Sequence, residues 1–248
     1  MKPKRRRIWL SLAVLLVLAA ASLAYYLKPY PPNGEALKAM QGGDGVTLKE
    51  TGRLIVFEPE GQALQPGVLL YPGALVMPES YAPLAKKLAA DGRRAIIVKM
   101  PLNLAILGPD RADDYLKGLP GGETYVIGGH SLGGVMASRY AAAHREDRPI
   151  AGVFFLASYP DSKGSLAESG LPVLSLLGSN DTVVRMEAYE EGKQYLPAGT
   201  VYVTIAGGNH AQFGGYGPQK GDSPAALPAA EQWARTAAEI EKWAAGSR

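Results

Sequence analysis

Tyr125-Val126-Ile127-Gly128-Gly129-His130-Ser131-Leu132-Gly133-Gly134 is the stretch whose reading decides the fold. An apolar run ends in glycines, presents one serine, and passes into an Ala-rich stretch of helical spacing. Residues 129–133 match the pattern G-x-S-x-G, in which a serine occupies a strained turn between a strand and a helix. A Cβ at either flanking glycine position would clash in so tight a turn. The helix N-terminus behind the serine offers backbone N–H groups to a developing negative charge. The competing readings are a plain glycine-rich connection and a phosphate-cradling loop. The second lacks the Gly-Lys-[Ser/Thr] that brings a lysine to phosphate.

Working outward, strands and helices alternate. Val46–Glu50 and Arg53–Glu58 read as a hairpin turning near Gly52. Gly67–Tyr71, Ala95–Val98, Tyr125–Ile127, Ile150–Ala157, Val173–Leu177 and Val201–Ile205 read as further short strands. Helical spacing marks Pro78 to Asp91, with Tyr81, Leu84, Ala85, Leu88 and Ala89 on one face and Gly92 as a stop. Asp110–Leu119, Leu132–Arg145 and Ala229–Ala245 are the other expected helices. Such alternation predicts an α/β domain with a mostly parallel sheet covered by helices on both faces. Ligands bind at the carboxyl ends of the strands of such sheets.

The chain has 248 residues, room for one domain plus a short extra segment. It contains no cysteine, which removes disulfides, thiolate metal sites and a cysteine nucleophile from consideration. The net charge is +3, but five basic residues lie within residues 1–7. The remaining 21 basic and 23 acidic residues leave the rest at −2, so no nucleic-acid surface is expected. Ile8 to Leu27 follows, 20 residues without a charge, with Trp9 at one end and Tyr25 and Tyr26 at the other. This pattern predicts a basic cytoplasmic tail (1–7) and a transmembrane anchor (8–27), with the domain outside the cytoplasm. The alternative is a secreted protein, its signal peptide cut near Ala24 after the small-x-small run Ser22-Leu23-Ala24. Residues 28–45, rich in Pro and Gly, read as a linker with one helical turn near Ala36–Met40, and 46–248 as the domain.

A serine hydroxyl needs a base to take its proton. His130 sits within the elbow, its side chain expected to point away from the hydroxyl. His144 is placed on the helix surface. His210, in Gly207-Gly208-Asn209-His210 just after the last strand, remains as the base. The imidazole in turn needs a carboxylate to fix its tautomer. Asp181, in Gly178-Ser179-Asn180-Asp181, lies 50 residues after the serine and 29 before the histidine, with Asp161 as its rival. The Leu132 N–H is one expected oxyanion donor. The second is assigned to Ala74 in Tyr71-Pro72-Gly73-Ala74-Leu75, with Leu75 as the alternative. Glu79, Tyr81, Phe213, Tyr216 and Gln219 flank these loops as candidate pocket residues. No cluster has metal-ligand spacing and no dinucleotide fingerprint occurs, so no cofactor is expected.

Taken together, Tyr-Pro-Gly at 71–73, Gly-His-Ser-Leu-Gly-Gly at 129–134, Gly-Ser-Asn-Asp at 178–181 and Gly-Asn-His-Ala-Gln-Phe-Gly at 208–214 make the chain resemble an α/β-hydrolase. The likeness is to the small bacterial dienelactone-hydrolase-like group and covers about residues 46–245. It differs in carrying Ser131 where dienelactone hydrolases proper carry cysteine. The resemblance implies a serine hydrolase acting on a small ester or related acyl substrate, with Ser131, Asp181 and His210 as its triad. The alternatives are an acyltransferase using the same triad and a non-catalytic binding domain on the same scaffold. The 15 residues from Ser158 to Pro172 leave no room for a multi-helix cap.

Overall fold

The computed structural model describes residues 3–119 and 122–246, except for the side chains of residues 3–8, 20, 23 and 24. In chain order its elements are α1 (Pro3–Tyr26), α2 (Gly34–Ala39), β1 (Val46–Glu50), β2 (Leu54–Pro59), β3 (Gly67–Tyr71), α3 (Ala82–Ala90) and β4 (Ala95–Val98). There follow α4 (Asp113–Leu116), β5 (Tyr125–His130), α5 (Leu132–His144), β6 (Ile150–Leu156), β7 (Val173–Gly178), α6 (Met186–Gly192), β8 (Val201–Ile205) and α7 (Ala229–Gly246). The strands form one eight-stranded sheet ordered β1-β2-β4-β3-β5-β6-β7-β8. β2 runs antiparallel to both β1 and β4, and every pairing from β4 onward is parallel.

Period-two alternation sorts each central strand between two cores. Val68, Leu70, Val126, Phe154 and Leu156 join Leu84 and Leu88 of α3 and Ile240 of α7 on one face. Leu69, Tyr71, Ile127, Val153 and Phe155 join Met136, Ala137 and Tyr140 of α5 on the other. Both faces are buried, which is why these strands read as unbroken apolar runs. Each fully buried Phe or Leu contributes about 1.5–3 kcal/mol.

The strands fall where their sequences place them, with β5 running on to His130. The helix expected over Asp110–Leu119 shrinks to α4, a single turn. The Ala112 N–H is taken by the Tyr71 hydroxyl, which itself donates to the Pro109 carbonyl, and this holds the chain in turns before the helix starts. Helix α6 was not expected. Between β6 and β7 the backbone makes one 3₁₀ turn, Ser162–Gly164.

The segment read as a linker is docked on the domain. Asn33 caps α2 by accepting the Ala36 N–H at 2.9 Å, and Ala36 is fully buried. Tyr30 donates its N–H to Leu75 and accepts the N–H of Met77, so it flanks the loop after β3. The Asn33 N–H reaches the Gly215 carbonyl at 2.7 Å. The transmembrane element expected over Ile8–Leu27 is not found. Ile8, Ala20, Leu23 and Ala24 lie outside the residues described to their side chains. Among the described residues no helix is long and apolar enough to cross a membrane.

Arg93, between α3 and β4, ties the last helix to the sheet. Its guanidinium is 2 % exposed, donates to the Pro66 carbonyl at 2.6 Å and meets Glu241 of α7 at 2.8 Å. Removing one partner of a buried pair leaves the other uncompensated. Arg93→Met is expected to cost about 3 kcal/mol, read as a lowered urea midpoint. An unchanged midpoint would show that α7 does not depend on this clamp.

Candidate active site

The turn between β5 and α5 puts Ser131 at φ 51°, ψ −123°, a conformation that costs a residue with a Cβ about 1–3 kcal/mol. Its backbone is fixed from three sides. The Ser131 N–H donates to the Leu156 carbonyl at 3.0 Å. The Ser131 carbonyl accepts the Gly134 N–H at 3.0 Å and the Ser158 hydroxyl at 2.6 Å. A Cβ on Gly133 would run into the Tyr71 carbonyl oxygen, and one on Gly129 would come within 2.6 Å of that same oxygen. Neighbouring backbone, which cannot move aside, thus demands glycine on both sides of the serine.

His210 and Asp181 stand at the carboxyl ends of β8 and β7. His210 Nδ1 lies 2.9 Å from Asp181 Oδ2, and the two side chains are 2 % and 3 % exposed. Asp181 Oδ1 accepts the N–H groups of Val183 and Val184, both at 2.9 Å. One oxygen thus shapes its own turn while the other holds the imidazole. His210 Nε2 makes no hydrogen bond. Ser131 and His210 line one cleft of about 310 Å³ with Leu132, Val135, Val183 and Arg185, with no hydrogen bond between serine and imidazole. Such bonds are often long without a substrate.

Asp161 is engaged elsewhere. Its carboxylate pairs with Arg139 and caps the turn Ser162–Gly164 by accepting the N–H groups of Lys163 and Gly164. In the loop after β3, the N–H of Gly73 goes to the Tyr81 hydroxyl, that of Leu75 to the Asn103 carbonyl, and that of Val76 to the Gly73 carbonyl. The Ala74 N–H is the one left uncommitted between Gly73 and Val76. Leu132 opens α5, where helix geometry leaves its N–H without an intrahelical acceptor.

Three supports carried no sequence signal, because each acts across distant parts of the chain. Ser158 caps the Ser131 carbonyl. Gln232 of α7, fully buried, accepts the Asn209 N–H at 3.0 Å and donates to the Asn209 carbonyl at 2.8 Å, which holds the His210 loop. Asp222 accepts the Ala211 N–H at 2.8 Å. Tyr81 and Phe213, candidates for the pocket wall, are fully buried in the core instead. Tyr216 packs on Tyr30 and bonds Gln219, away from the serine cleft, and Glu79 is not among the residues that line it. Among the described residues no His, Asp and Glu cluster could hold a metal ion.

His130 is turned away from the cleft and is 1 % exposed. Its Nδ1 lies 2.8 Å from the Tyr81 hydroxyl, and its ring sits 4.5 Å from that of His210. The same Tyr81 hydroxyl accepts the Gly73 N–H. Burial, and then the facing His210, push the His130 pKa well below its ordinary value. Below about pH 6.5 the unfolded chain therefore binds a proton here that the folded chain refuses, and stability is lost as pH falls.

The model of the alpha/beta hydrolase family matches residues 67–234. No curated protein matches the chain. Similar solved structures include a predicted CIB-like hydrolase from Thermoplasma acidophilum, 17 % identical, TM-score 0.58, with 80 % of this chain and 100 % of that one covered. A dienelactone hydrolase from Anabaena variabilis is 17 % identical, TM-score 0.55, with 80 % and 97 % covered. A hyperthermophilic esterase from the archaeon Pyrobaculum calidifontis is 15 % identical, TM-score 0.58, with 98 % of both chains covered.

Tyr81→Phe removes one oxygen and leaves the buried Gly73 N–H and His130 Nδ1 without their partner. The expected cost is about 1–3 kcal/mol in chemical denaturation. A variant as stable as the parent would mean that water or a shifted neighbour replaces the hydroxyl.

Proposed function

Because the chain belongs to the alpha/beta hydrolase family, we propose that it is a serine hydrolase cleaving ester or related acyl bonds of small substrates. The observation that carries this reading is the buried 2.9 Å contact of Asp181 and His210 at the cleft that Ser131 lines. In the proposed cycle, Ser131 Oγ attacks the acyl carbonyl and its proton passes to His210 Nε2. Asp181 holds the Nδ1 proton and stabilises the imidazolium. The N–H groups of Leu132 and Ala74 receive the oxyanion. His210 then gives its proton to the leaving group, and water resolves the acyl-enzyme by the same route in reverse. The freedom of the Ala74 N–H, beside the committed Leu75 N–H, favours Ala74 for the second donor.

The proposed location is outside the cytoplasm, with residues 8–27 as membrane anchor. It rests on the charge pattern of the sequence, five basic residues followed by 20 without a charge. Full-length protein is then expected in the membrane fraction of cells. Mature protein beginning at Tyr25 would replace the anchor with a cleaved signal.

Ser131→Ala is expected to fold, to lose labelling by a fluorophosphonate probe and to lose cleavage of p-nitrophenyl acetate. Activity near that of the parent would overturn the nucleophile. Asp181→Asn is expected to lose on the order of 10⁴ in kcat. Asp161→Asn losing more than Asp181→Asn would move the acid to position 161.

A cleft of about 310 Å³ with no cap recovers little of the roughly 0.8 kcal/mol per CH₂ that deep burial of an acyl chain supplies. Across p-nitrophenyl esters, kcat/KM is expected to peak between about C2 and C6. A maximum at a long-chain ester on the protein without its first 28 residues would refute the open-site argument.

A further inference from the structure

We infer that the cleft beside Ser131 selects substrates carrying an anionic group, a carboxylate or phosphate, and that Arg185 is its receptor. This rests on the hydrolase reading above and names the substrate class for that site.

Arg185 lines the cleft together with Ser131 and His210. What sets it apart is the lack of a partner. Arg53, Arg93, Arg94, Arg139, Arg145, Arg148 and Arg235 each meet a carboxylate, and Arg111 donates to the Lys99 carbonyl. Among the arginines with described side chains, Arg185 alone has no acceptor. Glu187, two residues on, makes no ion pair with it, and Asp181, four residues before, spends its oxygens on His210, Val183 and Val184. No Asp or Glu lines the cleft at all.

The surroundings sharpen the contrast. Leu132, Val135, Ala157, Val183 and Val184 make the rest of the wall mostly apolar. A guanidinium at such a wall offers a rigid fork of five N–H donors that fits a carboxylate or phosphate in pairs. Arg185 is exposed, yet it makes neither the carboxylate contact of seven other arginines nor the carbonyl contact of Arg111. A serine hydrolase that keeps one cation unpaired at its reacting centre has a place for the substrate's charge.

The test compares esters that differ only in charge. Mono-p-nitrophenyl adipate against p-nitrophenyl hexanoate places the charge on the acyl side. Adipate is used because shorter ω-carboxylates attack their own ester. The pair 3-carboxyphenyl acetate and phenyl acetate places it on the leaving group. In the parent, kcat/KM for one charged ester is expected to exceed that of its neutral partner about tenfold, the size of one charge-assisted hydrogen bond. The preference is expected to shrink as salt rises. In Arg185→Gln the charged-to-neutral ratio should fall to about one, with Arg185→Lys between the two. Taking the ratio cancels any general loss of activity. A parent that favours neither charged ester, or a preference that survives Arg185→Gln, overturns the inference. Calorimetry separates this failure from failure of the hydrolase reading. Ser131→Ala is expected to bind adipate, and Ser131→Ala combined with Arg185→Gln is not. Arg185-dependent adipate binding in a protein that cleaves none of the esters would overturn the hydrolase and leave the anion site standing. Equal binding by both variants would remove the anion site.

Discussion

The site depends on one backbone constraint, the φ of +51° at Ser131. A serine pays for that conformation because a strand on one side and a helix on the other leave no alternative path. Relaxing it would pull the Ser131 carbonyl from Ser158 and the N–H from Leu156, and would drive α5 off the sheet at Gly133. The strain is therefore paid by the packing of α5, through Met136, Ala137 and Tyr140, against β3, β5 and β6. Its consequence is positional: Ser131 lines the cleft at the residue just before α5.

Around that fixed point the other elements solve a positioning problem. His210 sits on a loop and would be mobile by default. Two side chains from elsewhere remove that freedom. Asp181 grips the ring, and Gln232 grips the backbone one residue earlier, at Asn209. Gln232 lies on α7, which Arg93 clamps to the start of the sheet, so the orientation of the imidazole is tied to a contact far from the cleft. The loop after β3 is held in the same manner, by Tyr30 from outside and by Tyr81 from beneath.

The sequence made the strands legible because both faces of the sheet are buried, and a doubly buried strand is an apolar run with no gaps. The elbow was legible because backbone crowding there admits only glycine at 129 and 133. Asp181 and His210 were expected at the site because each follows a strand end, and Asp161 stood as a rival because turn aspartates look alike in sequence. Only geometry separates them, by showing Asp161 spent on Arg139. Gln232 and Ser158 had no local pattern to betray them, and Tyr81, expected at the pocket, gave no sign of its bond to His130. Each is one polar residue in an otherwise ordinary helix or turn, and its value comes from a partner 23, 27 or 49 residues away. The Pro- and Gly-rich stretch 28–45 hid its docking for the same reason, since Tyr30 and Asn33 bond backbone groups at 75, 77 and 215. Arg185 was invisible as well, because an unpaired cation is defined by what all the other arginines do.

The two adjacent imidazoles tie the elbow histidine to the loop after β8. Their rings are 4.5 Å apart, so a proton on one disfavours a proton on the other. His130 is fully enclosed, which with the facing His210 holds its pKa well below the ordinary value, and its Nδ1 is bonded to the Tyr81 hydroxyl. Tyr81 in turn accepts the Gly73 N–H, so that donor is withheld from the cleft. One chain of contacts thus runs from the loop that carries Ala74, through Tyr81 and His130, to the ring of His210.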